Sequence, residues 1–358
     1  MNIEEIDKNF KVDTELNLPN LKFYDPRNEP FTIYGVFYED GQYRRMPDAV
    51  AKSVNPSIHI LSKETAGGRV KFKTNSSYVA VHAKCQRHIM PHFALTGSSG
   101  FDVYTGINER YAGTIVPPWN CNEFEGYENK VLFPDRRMRE ITLNLPLYSP
   151  VFELYIGLEE DAKIEKTAGY KYEKPVLYYG SSITQGGCAS RAGTSYEGFI
   201  SRALKTNYIN LGFSGNARAE EIMAEYIAEQ EMSVFVYDYD HNAPTPEYLE
   251  ETHERMFKTI RAKNPDLPVI MMSRPKYYLN KVEKRRLAIV KQTYENALRA
   301  GDKNVYFIPG PSLMKYAKEN GTVDNCHPTD YGFASMARVI TPLLKTILES
   351  KQNEQNER

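Results

Sequence analysis

Four short polar segments in the second half of the chain carry side chains that together could perform nucleophilic catalysis. Ser182 directly follows an apolar run, Gly215 and Asn242 lie in two later loops, and Asp324 and His327 stand three residues apart near the carboxyl end. A histidine held by a carboxylate can take a proton from a serine hydroxyl, and glycine N–H groups with an amide side chain can stabilise an oxyanion. Each segment alone is typical of an ordinary turn. Their combination indicates acyl transfer to a serine.

These segments follow predicted strands in a region where strands and helices alternate. Apolar runs at 175–180, 208–213, 233–240, 268–273 and 304–310 alternate with helical patterns at 195–204, 219–229, 246–262, 280–300 and 331–349. This alternation predicts an α/β fold, a flavodoxin-like three-layer αβα domain with about five parallel strands. Ligands of open parallel sheets bind beyond the carboxyl ends of the strands. We therefore expect the polar segments to meet there.

The first half of the chain has a different pattern. Residues 21–160 contain short runs rich in β-branched and aromatic residues, separated by Gly, Pro, Asn and Asp. Many short strands with turn signals between them predict an all-β, jelly-roll-like antiparallel sandwich. The sequence therefore predicts five segments: an N-terminal extension at 1–20, the sandwich at 21–160, a linker at 161–174, the αβα domain at 175–350 and a disordered tail at 351–358.

Composition excludes several classes of function. The 358 residues fit about two domains, and 45 Lys plus Arg balance 46 Asp plus Glu, so no strong field attracts nucleic acid. Apolar stretches are only a few residues long, which predicts no membrane span. The acidic amino terminus lacks the pattern of a signal peptide, which favours a cytoplasmic protein. Oligomeric state stays open.

The four cysteines, Cys85, Cys121, Cys188 and Cys326, are scattered and lack CxxC spacing, so the sequence predicts reduced thiols. Cys188 follows the Ser182 loop and Cys326 adjoins His327, and their roles stay open.

The polar segments resemble the sequence blocks of the SGNH (GDSL-like) hydrolase superfamily over roughly residues 174–348. GSSIT at 180–184 is similar to the nucleophile block, NLGFSG at 210–215 to the block NxGxxG, DHN at 240–242 to the block with the oxyanion asparagine, and DNCHP at 324–328 to DxxH. One departure is Ser181, which stands where the GDSL motif that names the family has Asp. The resemblance implies a Ser182, His327 and Asp324 triad, with an oxyanion hole from the N–H groups of Ser182 and Gly215 and the side chain of Asn242.

The first half adds a second resemblance. GFDVY at 100–104 is similar to the GxDLY signature of a β-sandwich domain that precedes some SGNH hydrolases, and residues 181–204 resemble the nucleophile region of that subgroup. Such two-domain proteins resemble carbohydrate acetylesterases. This implies hydrolysis of short acyl esters, with O-acetylated carbohydrates or other small esters as substrates. An acyl-thioesterase or short-chain lipid esterase is the alternative enzyme, and a carbohydrate-binding protein with a decayed catalytic half is the alternative of another class.

A metal-dependent hydrolase is a third hypothesis for the function, beside the serine hydrolase and the binding protein. His253 and Glu254 begin an HExxH pattern, but Phe257 stands where the second histidine would bind zinc. The implied mechanism needs neither metal nor cofactor, and none is predicted.

Overall fold

The computed structural model describes residues 12, 14–87, 89–118 and 126–356. These residues form two compact units. The first contains the described residues up to Arg45, together with Lys63–Gly169 and Ser190–Gly193. The second contains Met46–Ser62, Tyr170–Ala189 and the described residues from Thr194 onwards. The fold class is the predicted one: an antiparallel sandwich followed by a five-stranded parallel sheet with helices.

The first unit is built from two antiparallel sheets and a small hairpin. Its strands are β1 (Leu21–Tyr24), β2 (Thr32–Tyr34), β3 (Phe37–Glu39), β4 (Gln42–Arg44), β5 (Arg69–Thr74), β6 (Tyr78–Cys85), β7 (Phe101–Thr105), β8 (Arg110–Ile115), β9 (Gly126–Leu132), β10 (Arg139–Asn144), β11 (Val151–Glu159) and β12 (Ile164–Glu165). One sheet has the order β1-β11-β6-β9, and the other β12-β5-β10-β7-β8 with β2 beside β5. A short helix, α3 (Leu95–Ser98), precedes β7.

Alternating side chains explain why these segments form a sandwich. On β5, Val70 and Phe72 point into the core and pair in register with Leu143 and Ile141 of β10. Strands of the other sheet contribute side chains to the same core at every second position. Side chains of a strand point alternately to opposite faces, so this period of two buries one face of each sheet.

The second unit is organised around a parallel sheet of order β14-β13-β15-β16-β17. Its strands are β13 (Tyr172–Gly180), β14 (Thr206–Gly212), β15 (Val234–Asp238), β16 (Val269–Met272) and β17 (Val305–Ile308). Its helices are α1 (Asp48–Val54), α2 (Pro56–Leu61), α4 (Ser182–Gln185), α5 (Tyr196–Leu204), α6 (Glu221–Ala228), α7 (Pro246–Lys263), α8 (Lys281–Arg299), α9 (Gly310–Leu313) and α10 (Asp330–Asn356). Central strands such as β15 and β16 are fully buried, as expected when helices cover both faces of a parallel sheet.

Several boundaries differ from those that the sequence predicted. Residues 46–62, predicted to lie in the sandwich, form α1 and α2 and belong to the second unit, because Ala51 and Ile58 pack into its core. The predicted linker contains β12 and the first residues of β13. The last helix continues through much of the predicted disordered tail and ends at Asn356, because no glycine or proline interrupts it after Pro342. Within the described part of the chain, no helix is both long and apolar enough to cross a membrane.

Candidate active site

Ser182 stands at the start of α4, directly beyond the carboxyl end of β13. Ser181 is the N-cap of α4, and its hydroxyl accepts a hydrogen bond from the Ile183 N–H at 3.1 Å. Serine and aspartate are both good N-cap residues, so Ser181 does locally what an aspartate would do. The Gly187 N–H bonds the Ser182 carbonyl at 2.7 Å and closes this turn.

Gly212, the last residue of β14, permits a close approach to the nucleophile turn. A Cβ atom on Gly212 would lie 2.2 Å from the backbone nitrogen of Gln185. Thr184, in the same turn, donates from its hydroxyl to the buried Asp238 carboxylate at 3.2 Å. The turn therefore lies tightly against β14 on one side and is hydrogen-bonded to β15 on the other.

The structure brings together the three residues predicted to form the triad. The Ser182 Oγ lies 2.9 Å from Nε2 of His327, and Nδ1 of His327 lies 2.8 Å from Oδ2 of Asp324. The second carboxylate oxygen of Asp324 accepts the His327 backbone N–H at 2.7 Å. With Nδ1 donating to Asp324, Nε2 is left as the acceptor that a general base needs.

The loop before α10 presents His327 and Asp324 in a fixed geometry. The Val323 N–H bonds the His327 carbonyl at 2.8 Å, and Thr322 forms a β-bridge with Pro328. Asn325 adopts a left-handed conformation with φ of 64°, which asparagine tolerates better than most residues. A closed loop of this kind holds the imidazole ready before substrate binds.

The electrostatics of the site favour a charged imidazole when no substrate is bound. A hydrogen bond with the Cys326 thiol is the largest influence on His327, burial opposes it, and Asp324 adds to it; together they raise the pKa of His327 to about 9. Burial tends to raise the pKa of Asp324, but hydrogen bonds from His327 prevail and lower it. We therefore expect the neutral, base-competent form of His327 to gain population as the pH rises.

The two loops predicted to supply the oxyanion hole lie side by side. The Asn242 Nδ2 donates to the Phe213 carbonyl at 2.9 Å, two residues before Gly215. The Phe213 N–H in turn donates to the carbonyl of Gly180, two residues before Ser182. Gly215 has φ of 69° and lies exposed. The predicted donors, on Ser182, Gly215 and Asn242, thus lie on adjoining backbone segments beyond the carboxyl ends of the strands.

His241 and Cys188 lie beside the site; the sequence placed them next to its motifs but assigned them no role. His241 lies 3.1 Å from the Cys326 Sγ through its Nε2, and burial, reinforced by Arg274 and other nearby positive groups, lowers its pKa to about 3. His241 therefore stays neutral. Its contact with Cys326 joins the turn of Asn242 to the loop of His327. Burial raises the pKa of the Cys188 thiol to about 12, which disfavours its reactive thiolate.

Asp324, Cys326 and His327 have ligand atoms within 4.8 Å of one another, close enough to hold a metal ion. Both ring nitrogens of His327 are engaged, with Asp324 on Nδ1 and Ser182 on Nε2. A metal here would have to displace one of these contacts. The incomplete HExxH pattern forms no site, because His253 is a buried residue of α7 that stacks on Tyr237 and contacts the Thr293 hydroxyl through Nδ1 at 2.9 Å.

Comparison with known families identifies both halves of the chain. Residues 173–345 match the GDSL-like lipase/acylhydrolase family, and residues 21–164 match the family described as the N-terminus of the SGNH-hydrolase esterase type. The chain belongs to the SGNH hydrolase superfamily. It is a carboxylic ester hydrolase of the subgroup with an N-terminal GxDLY domain, and both predicted resemblances are confirmed.

Solved structures share the whole fold of this SGNH hydrolase. A Bacteroides ovatus protein described as a GDSL-like lipase is 28% identical, with a TM-score of 0.82, and the match covers 92% of this chain and 98% of that one. The salicylyl-acyltransferase SsfX3 of a tetracycline biosynthetic pathway is 19% identical, with a TM-score of 0.74 and coverages of 91% and 98%. An acetyl xylan esterase from Butyrivibrio proteoclasticus is 13% identical, with a TM-score of 0.59 and coverages of 92% and 99%. No curated protein matches this sequence.

Proposed function

We propose that this SGNH hydrolase is a serine esterase that removes short acyl groups, above all acetyl groups, from O-acylated carbohydrates. The observation that carries the proposal is the unbroken line of contacts from the Ser182 hydroxyl through His327 to the Asp324 carboxylate. Such a line converts a weakly nucleophilic hydroxyl into an attacking group.

The first half-reaction forms an acyl-enzyme. The Ser182 Oγ attacks the ester carbonyl carbon while its proton passes to Nε2 of His327, and Asp324 stabilises the imidazolium. The oxyanion accepts hydrogen bonds from the N–H groups of Ser182 and Gly215 and from the second N–H of the Asn242 amide. Collapse breaks the bond to the alcohol oxygen, and the imidazolium returns its proton to that oxygen.

The second half-reaction frees the enzyme. Water loses a proton to His327 and attacks the acyl carbon, and a second oxyanion forms in the same hole. Its collapse breaks the bond to the Ser182 oxygen, which regains the proton from His327, and releases the carboxylic acid. No redox equivalent or metal enters this balance.

Support for a carbohydrate ester comes from likeness of fold, since the acetyl xylan esterase shares the fold over nearly all of both chains. Because fold does not fix substrate, the acyl length and the alcohol are the parts of the proposal that most need a test. The intact contacts of Ser182 and His327 weigh against a binding protein with a decayed catalytic half.

The test compares p-nitrophenyl acetate, butyrate and octanoate as substrates of wild type and Ser182→Ala, beside acetate release from acetylated oligosaccharides. We expect turnover that favours acetate and falls by at least 10³-fold in the variant. Ser53→Ala is the matched control, because this exposed hydroxyl of α1 bonds only the Ala49 carbonyl of its own helix among the described contacts. Full turnover by Ser182→Ala would refute the mechanism, and preference for octanoate would replace the carbohydrate ester with a lipid ester.

A further inference from the structure

We propose that Arg286 of α8 is a positioning residue that fixes the turn carrying Asn242, and thereby holds the amide of the oxyanion hole in place. This inference rests on the proposed function, since it assigns a role within the same reaction. None of the sequence blocks of the family contains Arg286. Its partners are backbone carbonyls rather than motif side chains.

The guanidinium of Arg286 binds both ends of the turn. Its Nη1 donates to the Asp240 carbonyl at 2.7 Å and its Nη2 donates to the Ala243 carbonyl at 2.7 Å. Asn242 lies between these two carbonyls in the chain. A guanidinium presents its N–H groups in a rigid planar fork, so the two bonds together fix the separation of the carbonyls as well as their direction.

Other contacts complete the support of the turn. The buried Asp240 carboxylate accepts the backbone N–H of Arg274, just beyond β16, at 3.0 Å. The Asn242 N–H donates to the Tyr239 carbonyl at 3.1 Å, and its side-chain Nδ2 donates to Phe213. An amide NH₂ carries two hydrogens. The Phe213 contact therefore orients the amide while its second hydrogen can serve a developing oxyanion.

Arg286 projects from a helix end that is itself anchored. Asn280 and Glu283 form a capping box at the start of α8. Glu283 is 5% exposed; its Oε1 accepts a hydrogen bond from Nζ of Lys276 at 3.0 Å and forms an ion pair with Nη1 of Arg274 at 3.2 Å. The guanidinium thus leaves α8 about one turn after a buried, multiply bonded carboxylate. Donors held in advance stabilise charge without reorganising during the reaction, which is the property an oxyanion hole needs.

The neighbouring arginine provides a matched control. The half-exposed side chain of Arg285 pairs with Glu247 and Glu250 of α7. The two residues carry the same charge and lie on the same helix. Among the described contacts, only Arg286 binds the carbonyls on either side of Asn242. Loss of activity that is specific to Arg286 would therefore reflect those two bonds.

The experiment is a double-mutant cycle on ester hydrolysis, with Arg286→Met, Asn242→Ala, the double variant and the control Arg285→Met. We expect Arg286→Met to lower kcat 10- to 100-fold with KM within about twofold, and Arg285→Met to leave both unchanged. In the Asn242→Ala background, Arg286→Met should cost less than about threefold, because the amide that it positions is already absent. A merely structural role would make the two losses multiply, and that result overturns the inference.

Two further measurements keep the inference testable whatever the ester. Arg286→Lys retains the charge but lacks the planar fork that spans the two carbonyls, so we expect an intermediate kcat. It also takes the place of Arg286→Met if that variant fails to fold. A crystal structure of the variant should show the Asn242 amide displaced from the Phe213 carbonyl, and an unchanged 2.9 Å contact would refute the role. Absence of all esterase activity in wild type, or activity retained by Ser182→Ala, would instead refute the proposed function.

Discussion

Glu197 makes part of the second unit's stability depend on pH, and its replacement by glutamine should remove that part. The side chain is fully buried in the first turn of α5, with Oε1 3.5 Å from the Asn210 amide nitrogen. Burial, against the hydrogen bonds of its own N–H, Ser195 and Tyr196, raises the pKa of Glu197 from 4.5 to about 8. The folded protein therefore keeps this carboxyl neutral under conditions in which the unfolded chain ionises it.

The sign and size of the effect follow from proton linkage. Below pH 4.5 the carboxyl is protonated in both states, and its contribution to stability is fully present. As the pH rises from there towards 8, the unfolded chain releases a proton that the folded chain keeps, so the free energy of unfolding falls by about 1.4 kcal/mol per pH unit. Between pH 5 and 7 this amounts to about 3 kcal/mol.

Glutamine has the shape of a protonated glutamate and does not titrate. Urea unfolding of wild type and Glu197→Gln, followed by far-ultraviolet circular dichroism between pH 5 and 9, gives the difference in unfolding free energy at each pH. We expect the variant to gain about 3 kcal/mol relative to wild type between pH 5 and 7, and the gain to level off above pH 8. Glu225→Gln, which removes an exposed carboxylate of α6, controls for net charge. A difference that stays constant with pH would refute the buried neutral carboxyl.

Three other predictions follow from contacts described above. The proposed mechanism uses His327 in its neutral form, so kcat/KM for acetate esters should rise with pH towards an inflection near 9. Cys326→Ala should move that inflection to lower pH, because it removes the thiol hydrogen bond that raises the pKa of His327; an inflection at the wild-type pH would contradict that role of Cys326. Gly212→Ala should force the nucleophile turn away from β14, lowering stability by about 1–3 kcal/mol and lowering kcat, as thermal unfolding and ester hydrolysis would show; wild-type values in both would exclude the close approach. In the first unit, the fully buried Asp102 accepts hydrogen bonds from the Asn144 amide at 2.7 Å and the Gly193 N–H at 2.9 Å, and it lies 3.8 Å from the partly exposed Arg191 guanidinium. Asp102→Asn should cost about 1.5–3 kcal/mol in urea unfolding, and a loss under about 0.5 kcal/mol would contradict the contribution of these contacts.

The sequence predicts an element best where a single physical cause, such as burial on both faces, sets the pattern of its residues. Strands such as β15 and β16 are buried on both faces, so continuous apolar runs marked them clearly. Helices α1 and α2 were missed because each has only seven or fewer residues, too few to show a helical period. Asn55, which caps α2 through its side chain, and Pro56 at the first helical position are the signal that could have revealed them.

The residues of the site also differ in how far the sequence reveals them. Ser182 and His327 are 145 residues apart in sequence, so no local pattern could pair them, and the pairing depended on resemblance to a family. No sequence pattern points to Arg286 or to Glu197, for different reasons. Arg286 binds main-chain carbonyls, which every residue type provides, and Glu197 stands in a helix start where an exposed glutamate would be equally common.

The division of the chain into units has a consequence for how the protein could be dissected or could have arisen. Residues 46–62 belong to the second unit although they precede most of the first, and residues 190–193 belong to the first although the second surrounds them. A fragment that begins at residue 170 would lack the helices whose Ala51 and Ile58 complete its core, leaving an apolar surface open to aggregation. No single cut in the sequence separates the two units. Recombination that exchanged only the carboxyl-terminal half between relatives would therefore have to carry, or rebuild, a piece of the other half.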